Sequence, residues 1–219
     1  MHSHEIKEHA PIRHLSHANS LFTGRGSSIY DVVMVRLTSN LYRRVIDDLA
    51  LLRPATGKVL DAGTGPGTLA RDIARHQPQL QVYGIDLSAD MIQLARDHAE
   101  REQLAERVHF DTGNLAHLPY PDQTFDLIVS TISMHHWYEL EQPFRDLYRV
   151  LKPDGRLLIY DFRFMQAPTI ARALASTPFA GTQLEQTLVR TGFWPFALYK
   201  RFALQKEAPL SSHGSEKEA

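Results

Sequence analysis

The sequence predicts an α/β protein built on a mostly parallel sheet with helices on both faces. From Lys58 onward, short apolar runs alternate with amphipathic stretches, the rhythm of strands and helices wound around such a sheet. The first strand of that series runs straight into a helix through Gly63-Thr64-Gly65-Pro66-Gly67, a turn that only glycine-rich backbone makes this tightly. Each later crossover is long enough for a right-handed βαβ connection.

The elements follow in order. Ile29 to Leu52 carries Val32, Val35, Leu41, Val45, Leu49 and Leu52 at helical spacing and stops before Pro54, which predicts a helical cover. Strands are expected at Val59 to Asp61, Gln81 to Asp86, Val108 to Asp111, Phe125 to Ser130 and Arg156 to Asp161, each ending in polar residues or glycine. Between them, helices are expected at Thr68 to His76, at Ala89 to Gln103 with Ser88 as cap and Asp90 in the first turn, and at Glu139 to Leu151. The last is stopped ahead of Pro153. Gln183 to Val189 reads as helical, ended by Gly192, and the aromatic-rich run Phe193 to Leu204 reads as one or two final strands.

A chain of 219 residues suits one core. Residues 1–28 read as a polar arm, 29–207 as a single domain and 208–219 as a solvated tail. Lys plus Arg (24) nearly balance Asp plus Glu (25), giving a net charge of -1, so no basic face is available to neutralise a nucleic-acid backbone. The absence of cysteine removes disulfides, thiolate metal sites and cysteine nucleophiles, and suits a cytoplasmic protein. No signal peptide or apolar membrane span is expected. His2, His4, His9, His14 and His17 crowd the arm without the acidic or thiolate partners of a metal site, so no metal is expected; the chain is taken as a monomer or homodimer.

The glycine turn carries the first chemistry. Dinucleotide folds use G-x-G-x-x-G, but here the third glycine arrives one residue early, at Gly67. Asp61, two positions ahead of Gly63, would repel a pyrophosphate and attract a ligand ammonium. At the end of the second strand, Asp86 is placed to accept from both hydroxyls of a ribose. Leu87 just after it, and Leu115 further on, are placed to cover the two faces of an adenine. Together these point to a zwitterionic adenosyl ligand.

Four motifs in this order, Val59 to Gly67, Gly84-Ile85-Asp86-Leu87-Ser88, Gly113 to Tyr120 with Phe125-Asp126, and Leu151-Lys152-Pro153-Asp154-Gly155-Arg156, resemble the class I S-adenosylmethionine-dependent methyltransferases. The likeness is greatest to the small-molecule group that includes the ubiquinone and menaquinone C-methyltransferases. It covers about Lys58 to Asp161. It implies a Rossmann-like, seven-stranded, mostly parallel sheet, with residues 29–53 as cover, 57–162 as cofactor-binding core and 163–207 as C-terminal helices and last strands. It implies S-adenosyl-L-methionine as cofactor, held by Asp61, Gly63 and Gly65 at its methionine part, with Thr64 and Gly67 also among the cofactor-binding residues, Asp86 at the ribose, Asn114 and Leu115 at the adenine, and Ser130 at the amino group. Proteins of this kind usually carry aspartate where Asn114 stands; an asparagine facing the pocket still accepts, and can also donate to adenine N1.

Methyl transfer from a sulfonium is an in-line displacement that asks the protein mainly for alignment and exclusion of water. An O, N or activated C nucleophile must still lose a proton, and His135 and His136, on the loop after the fourth strand, stand at the sheet edge where ligands of such folds bind. They are the candidate catalytic residues, as general base or positioning donor, with packing against Trp137 and Tyr138 as the other reading. Tyr30 and Asp31 are placed to reach cofactor or acceptor from the covering helix. Phe162, Phe164, Phe179, Phe193, Trp194 and Phe196 read as core or as an acceptor pocket. The function expected is methyl transfer to a small-molecule acceptor; a non-catalytic S-adenosylmethionine-binding protein and a nicotinamide-dependent oxidoreductase stay open beside it.

Overall fold

The computed structural model describes residues 27–52, 56–191 and 197–208, with side chains from position 38 onward. The chain divides into two units, Met1–Arg36 and Leu37–Ala219. Of the first, only the backbone at the start of helix α1 (Ser27–Leu52) is described; the sheet and its other helices belong to the second. The expected polar arm, the final tail from Pro209, and Phe193, Trp194 and Phe196 lie outside the described residues, as do the side chains of Tyr30 and Asp31.

The elements alternate as β1 (Gly57–Ala62), α2 (Thr68–His76), β2 (Leu80–Asp86), α3 (Ala89–Arg101), β3 (Val108–Thr112), β4 (Phe125–Thr131), α4 (Glu141–Val150), β5 (Leu151–Phe162), α5 (Ala167–Ala175), β6 (Glu185–Val189) and β7 (Tyr199–Gln205). They form one seven-stranded sheet in the order β3-β2-β1-β4-β5-β7-β6. β1 to β5 run parallel, and β7 lies antiparallel to both β5 and β6. The Rossmann-like, seven-stranded, mostly parallel architecture is thus present.

Burial alternates along the central strands because successive side chains leave a strand on opposite faces. Val59 packs with Leu69 and Ile73 of α2, Ile92 and Ala95 of α3, and Leu41, Val45 and Leu49 of α1. Its neighbour Leu60 packs with Phe144 and Leu147 of α4 and Ile170 and Leu174 of α5. Each face is therefore a closed apolar layer, and the continuous apolar runs of β1 and β4 follow from being covered on both sides. Among the polar groups enclosed on the α1 face is Asp48, 4% exposed, which accepts from the Tyr160 hydroxyl at 2.7 Å and from Arg201 at 3.0 Å.

The segment expected as a helix at Gln183 to Val189 is instead the edge strand β6. Pairing decides it: Glu185 to Val189 lies in register against Ala203 to Tyr199 of β7, and so short a segment gains more from a ladder than from one isolated turn. Helix α5 buries Ile170, Ala173 and Leu174 and carries Pro168 in its first turn, where the missing N–H costs nothing. β5 begins at Leu151, directly after α4, five residues before the expected start at Arg156.

In the strand order, β1 has β2 on one side and β4 on the other, so the chain leaves β1 in opposite directions on its two sides. The crevice outside the carboxyl ends of β1 and β4 is the ligand position of an open α/β sheet.

Candidate functional site

At the end of β1 the chain turns through Gly63 with φ 81° and Gly65 with φ 53°, left-handed conformations that side chains resist. The two glycines answer different needs. A Cβ on Gly63 would fall 2.1 Å from Ser133 Oγ, whereas a Cβ on Gly65 would meet nothing within 4 Å. Gly63 lets two loops touch, and Gly65 borders open space. The turn is tied down by Ile85 O, which accepts from both Gly63 N and Thr64 N at 2.9 and 3.0 Å. Gly65 N donates to Asp86 Oδ2 at 2.9 Å. Asp86 Oδ1 accepts from Ser88 N at 3.0 Å, and Ser88 Oγ caps α3 at Met91 N.

Asp61 is 1% exposed. Its Oδ2 accepts from Thr64 Oγ1 at 2.7 Å, while Oδ1 is buried without a partner. Burial pushes its carboxyl up to about 7, against the pull of the Thr64 hydrogen bond and with the Asp86 charge adding to the rise. An orphaned carboxylate oxygen beneath a loop of bare backbone is a strained arrangement that a ligand cation would relieve. Burial, followed by the Asp61 charge, pushes the hydroxyl of Tyr42 on α1 up to about 12.

A cavity of about 530 Å³ opens beside the turn. Gly63, Asp86 and the 75% exposed Leu87 form one wall. Gly113, Asn114 and Leu115 form the second, and Ser133, His136 and Trp137 the third. Most of its lining area is apolar, with polar side chains such as Asp86, Asn114, Ser133, His136, Glu139 and Gln142 set into it, the make-up of a small-molecule site. A cavity of equal size, bordered by Asp48, Arg156, Arg201 and Glu207, contains none of the candidate cofactor-binding or catalytic residues.

Asn114 does line the cavity, but its Oδ1 is turned back to accept from Ala116 N at 2.9 Å. Its amide nitrogen is the group left to offer. Thr64 is buried, its hydroxyl committed to Asp61. Ser130 departs from expectation. It is fully buried and donates to Ala62 O at 2.7 Å, because β4 continues to Thr131 and the alternation turns Ser130 into the sheet. The serine that reaches the cavity is Ser133, whose Oγ accepts from Trp137 Nε1 at 3.1 Å.

The histidine pair forms a single 3-10 turn, Met134–His136. His136 lines the cavity. The His135 ring lies 3.9 Å from it, centroid to centroid, and edge-on to Phe162 at 5.1 Å. His135 Nδ1 is 2.8 Å from Oδ1 of Asp161, a carboxylate fully buried at the end of β5.

A family model described as a methyltransferase domain matches residues 55–202. The chain belongs to that family. The match spans the whole sheet from β1 into β7, and with the glycine turn and Asp86 it marks a class I S-adenosylmethionine-dependent methyltransferase domain. Methyltransferase GfsG of Streptomyces halstedii is 40% identical over 126 residues, 58% of this chain and 43% of that protein. A demethylmenaquinone methyltransferase of Deinococcus radiodurans is 34% identical over 105 residues, 48% of this chain and 43% of that protein. The chain spans less than half the length of these two curated relatives. A putative S-adenosylmethionine-dependent methyltransferase of Methanococcus maripaludis shares the fold, with a TM-score of 0.68 at 20% identity over 84% of this chain and 93% of the other. Neither the oxidoreductase nor the binding-only alternative is favoured by these likenesses.

Around this cavity stand residues that no sequence motif singles out. Ser133, Trp137 and Tyr42 carry no motif signal, and Asp161 stood only as the last residue of an expected strand. Among the described residues no helix is long and apolar enough to cross a membrane.

Proposed function

We propose that this methyltransferase transfers the methyl group of S-adenosylmethionine to a hydroxyl oxygen of a small organic molecule. The observation that carries the reading is one cavity bounded by an adenosyl-type wall, Asp86 with Leu87 and Leu115, and by His136 with His135 behind it. The residues suit the donor. Each Asp86 oxygen accepts one backbone N–H and retains capacity for a ribose hydroxyl. Leu87 and Leu115 cover the adenine, and the Asn114 amide donates to its N1. The orphaned Asp61 Oδ1 answers the ammonium, directly or through water, with the Gly63 and Gly65 backbone against the methionine part.

When bound, S-adenosylmethionine supplies a methyl group on a cationic sulfur, already an electrophile. The chain supplies alignment, a largely apolar enclosure, and a histidine to take a proton. That last feature favours a hydroxyl over an amine. An unprotonated amine attacks with a ready lone pair, whereas a hydroxyl gains most from a base at the moment of attack.

The test is incubation with methyl-13C-labelled cofactor and a set of catechol, aromatic amine and 1,3-diketone acceptors, followed by NMR of the products. Label in methoxy carbon is the expected result. Label in N-methyl or C-methyl carbon alone would overturn the oxygen assignment.

A further inference from the structure

We propose that strand β6 pairs antiparallel with β6 of a second copy of this chain, about a twofold axis at Leu188, joining two seven-stranded sheets into one. β6 ends the strand order, and β7 occupies only one of its two edges. The outer edge of such a strand presents a row of backbone N–H and C=O groups that can template another strand. Among the described residues, nothing outside β7 bonds to the backbone of Glu185 to Val189. The opposite edge of the sheet is guarded: on β3, Phe110 O accepts from the Arg96 guanidinium of α3. β6 has no such guard. Its sequence Glu185-Gln186-Thr187-Leu188-Val189 holds no lysine or proline, the residues that blunt a free edge, and no bulge breaks its register with β7. All of its side chains but Val189 are exposed, Leu188 at 57%.

The side chains of β6 indicate why the partner is a second copy. Leu188 lies opposite Lys200, and Gln186 opposite Phe202. All four leave the sheet on the face where Phe202 is buried in the apolar layer with α4 and α5, and that layer ends with Leu188 uncovered. Two antiparallel strands related by a twofold axis must set one residue opposite its own twin, because successive pairs along the ladder alternate between hydrogen-bonded and non-hydrogen-bonded types. With the axis at Leu188 the two leucines meet. Thr187 then faces Val189 of the second copy, and Gln186 faces Arg190, an exposed side chain in no ion pair among the described residues. Apolar meets apolar, branched meets branched, amide meets guanidinium, and no like charges meet, which is the cross-strand pairing that stabilises a sheet. An axis at Thr187 would set Leu188 against Gln186 and Leu184 against Arg190, and an axis at Glu185 would oppose two carboxylates. A ladder this short buries less than the roughly 1,200 Å² of a standard interface, so the dimer has a micromolar dissociation constant and forms as concentration rises. β4, β5 and β7 stand between β6 and the glycine turn of β1, so the pairing leaves the cofactor cavity untouched.

The chain has no cysteine, so a single introduced thiol can bridge only to its twin. Leu188→Cys sets the two Cα atoms about 5 Å apart, within reach of a disulfide, whereas Thr187→Cys and Gln186→Cys leave theirs about 8 and 14 Å apart. Under mild oxidation of the full chain, Leu188→Cys is expected to form covalent dimer, read on a non-reducing gel, about tenfold faster than either neighbour. Equal rates at the three positions would mean random collision and overturn the proposal, as would Thr187→Cys as the fastest. Sedimentation gives a second reading. The parent is expected to pass from monomer to dimer as concentration rises. Leu188→Lys, which opposes two like charges at the axis, is expected to raise the dissociation constant about a hundredfold. A cooperative melt near that of the parent shows that each variant is folded; should Leu188→Lys fail this check, the cysteine variants decide. A parent that stays monomeric at about 200 µM, where a micromolar dimer is nearly saturated, or a dimer indifferent to Leu188→Lys, overturns the pairing.

Discussion

Gly65 donates its backbone N–H to Asp86 Oδ2 at 2.9 Å, so the acid at the end of β2 also sets the shape of the glycine turn on β1. Asp86→Ala should therefore weaken S-adenosylhomocysteine binding by about a hundredfold, the loss of charge-assisted hydrogen bonds to the ribose together with a looser turn. The residue is half-buried at a strand end, so the melting temperature should fall by only a few degrees. Titration calorimetry checks the first effect and a thermal melt the second; unchanged affinity removes Asp86 from the binding site.

Gly63 and Gly65 should separate folding from binding. Alanine at Gly63 places a methyl 2.1 Å from Ser133 Oγ and should destabilise the domain by about 2 to 4 kcal/mol through overpacking and backbone strain. Alanine at Gly65 meets open space and should cost about 1 to 2 kcal/mol of strain alone, while intruding where the ligand backbone lies. Denaturant unfolding and ligand titration on both variants distinguish them. Gly65→Ala with full affinity contradicts a ligand seated against that glycine.

Much of this was legible in the sequence, and the misses share a cause. α2, α3 and the central strands have periodic burial, so local pattern and tertiary position agree. β6 was misread because its helical look was local, while its state is set by pairing with Ala203 to Tyr199 of β7. Ser130 and Ser133 differ by three positions, and only the observed end of β4 at Thr131 shows which one turns into the sheet. Asp161 is brought to His135 by strand pairing rather than by any motif. Gly63, Asp86, Leu87, Asn114, Leu115 and His136, all named from the sequence, line one cavity, because strand-end positions converge wherever the sheet order reverses.

Asp61 ties stability to pH. Its carboxyl, raised by burial to about 7 in the folded chain, has an unfolded value of about 4. A group raised on folding favours the folded state below its unfolded value and withdraws that contribution as pH climbs to the folded one. The ligand-free protein should thus lose stability between about pH 4 and pH 7, by on the order of 4 kcal/mol from this group. Asp61→Asn should flatten that window, melting higher than the parent at pH 8, and should bind S-adenosylhomocysteine more weakly. Parallel pH dependences in the two proteins would sink the assignment.

Removing the Tyr160 hydroxyl should expose the role of the enclosed Asp48. Asp48 accepts from Tyr160 and Arg201 and also pairs with Arg44 at 3.2 Å. Tyr160→Phe leaves the carboxylate its cationic partners and should cost about 1 to 2 kcal/mol. Asp48→Ala strands Tyr160 and Arg201 together and should cost about 3 to 5 kcal/mol. Denaturant midpoints give both values, and equal losses would mean that the network does not act as a unit.

The cavity beside the glycine turn should take S-adenosylmethionine. The direct measurement is a thermal melt with S-adenosylhomocysteine and, separately, with NADH. At a hundredfold excess over its dissociation constant, a ligand adds about 2.7 kcal/mol, which raises the midpoint of a domain this size by roughly 5 to 10 °C. That rise is expected with S-adenosylhomocysteine, with its loss in Asp86→Ala and no rise with NADH. Stabilisation by NADH alone, or by neither ligand, would contradict it.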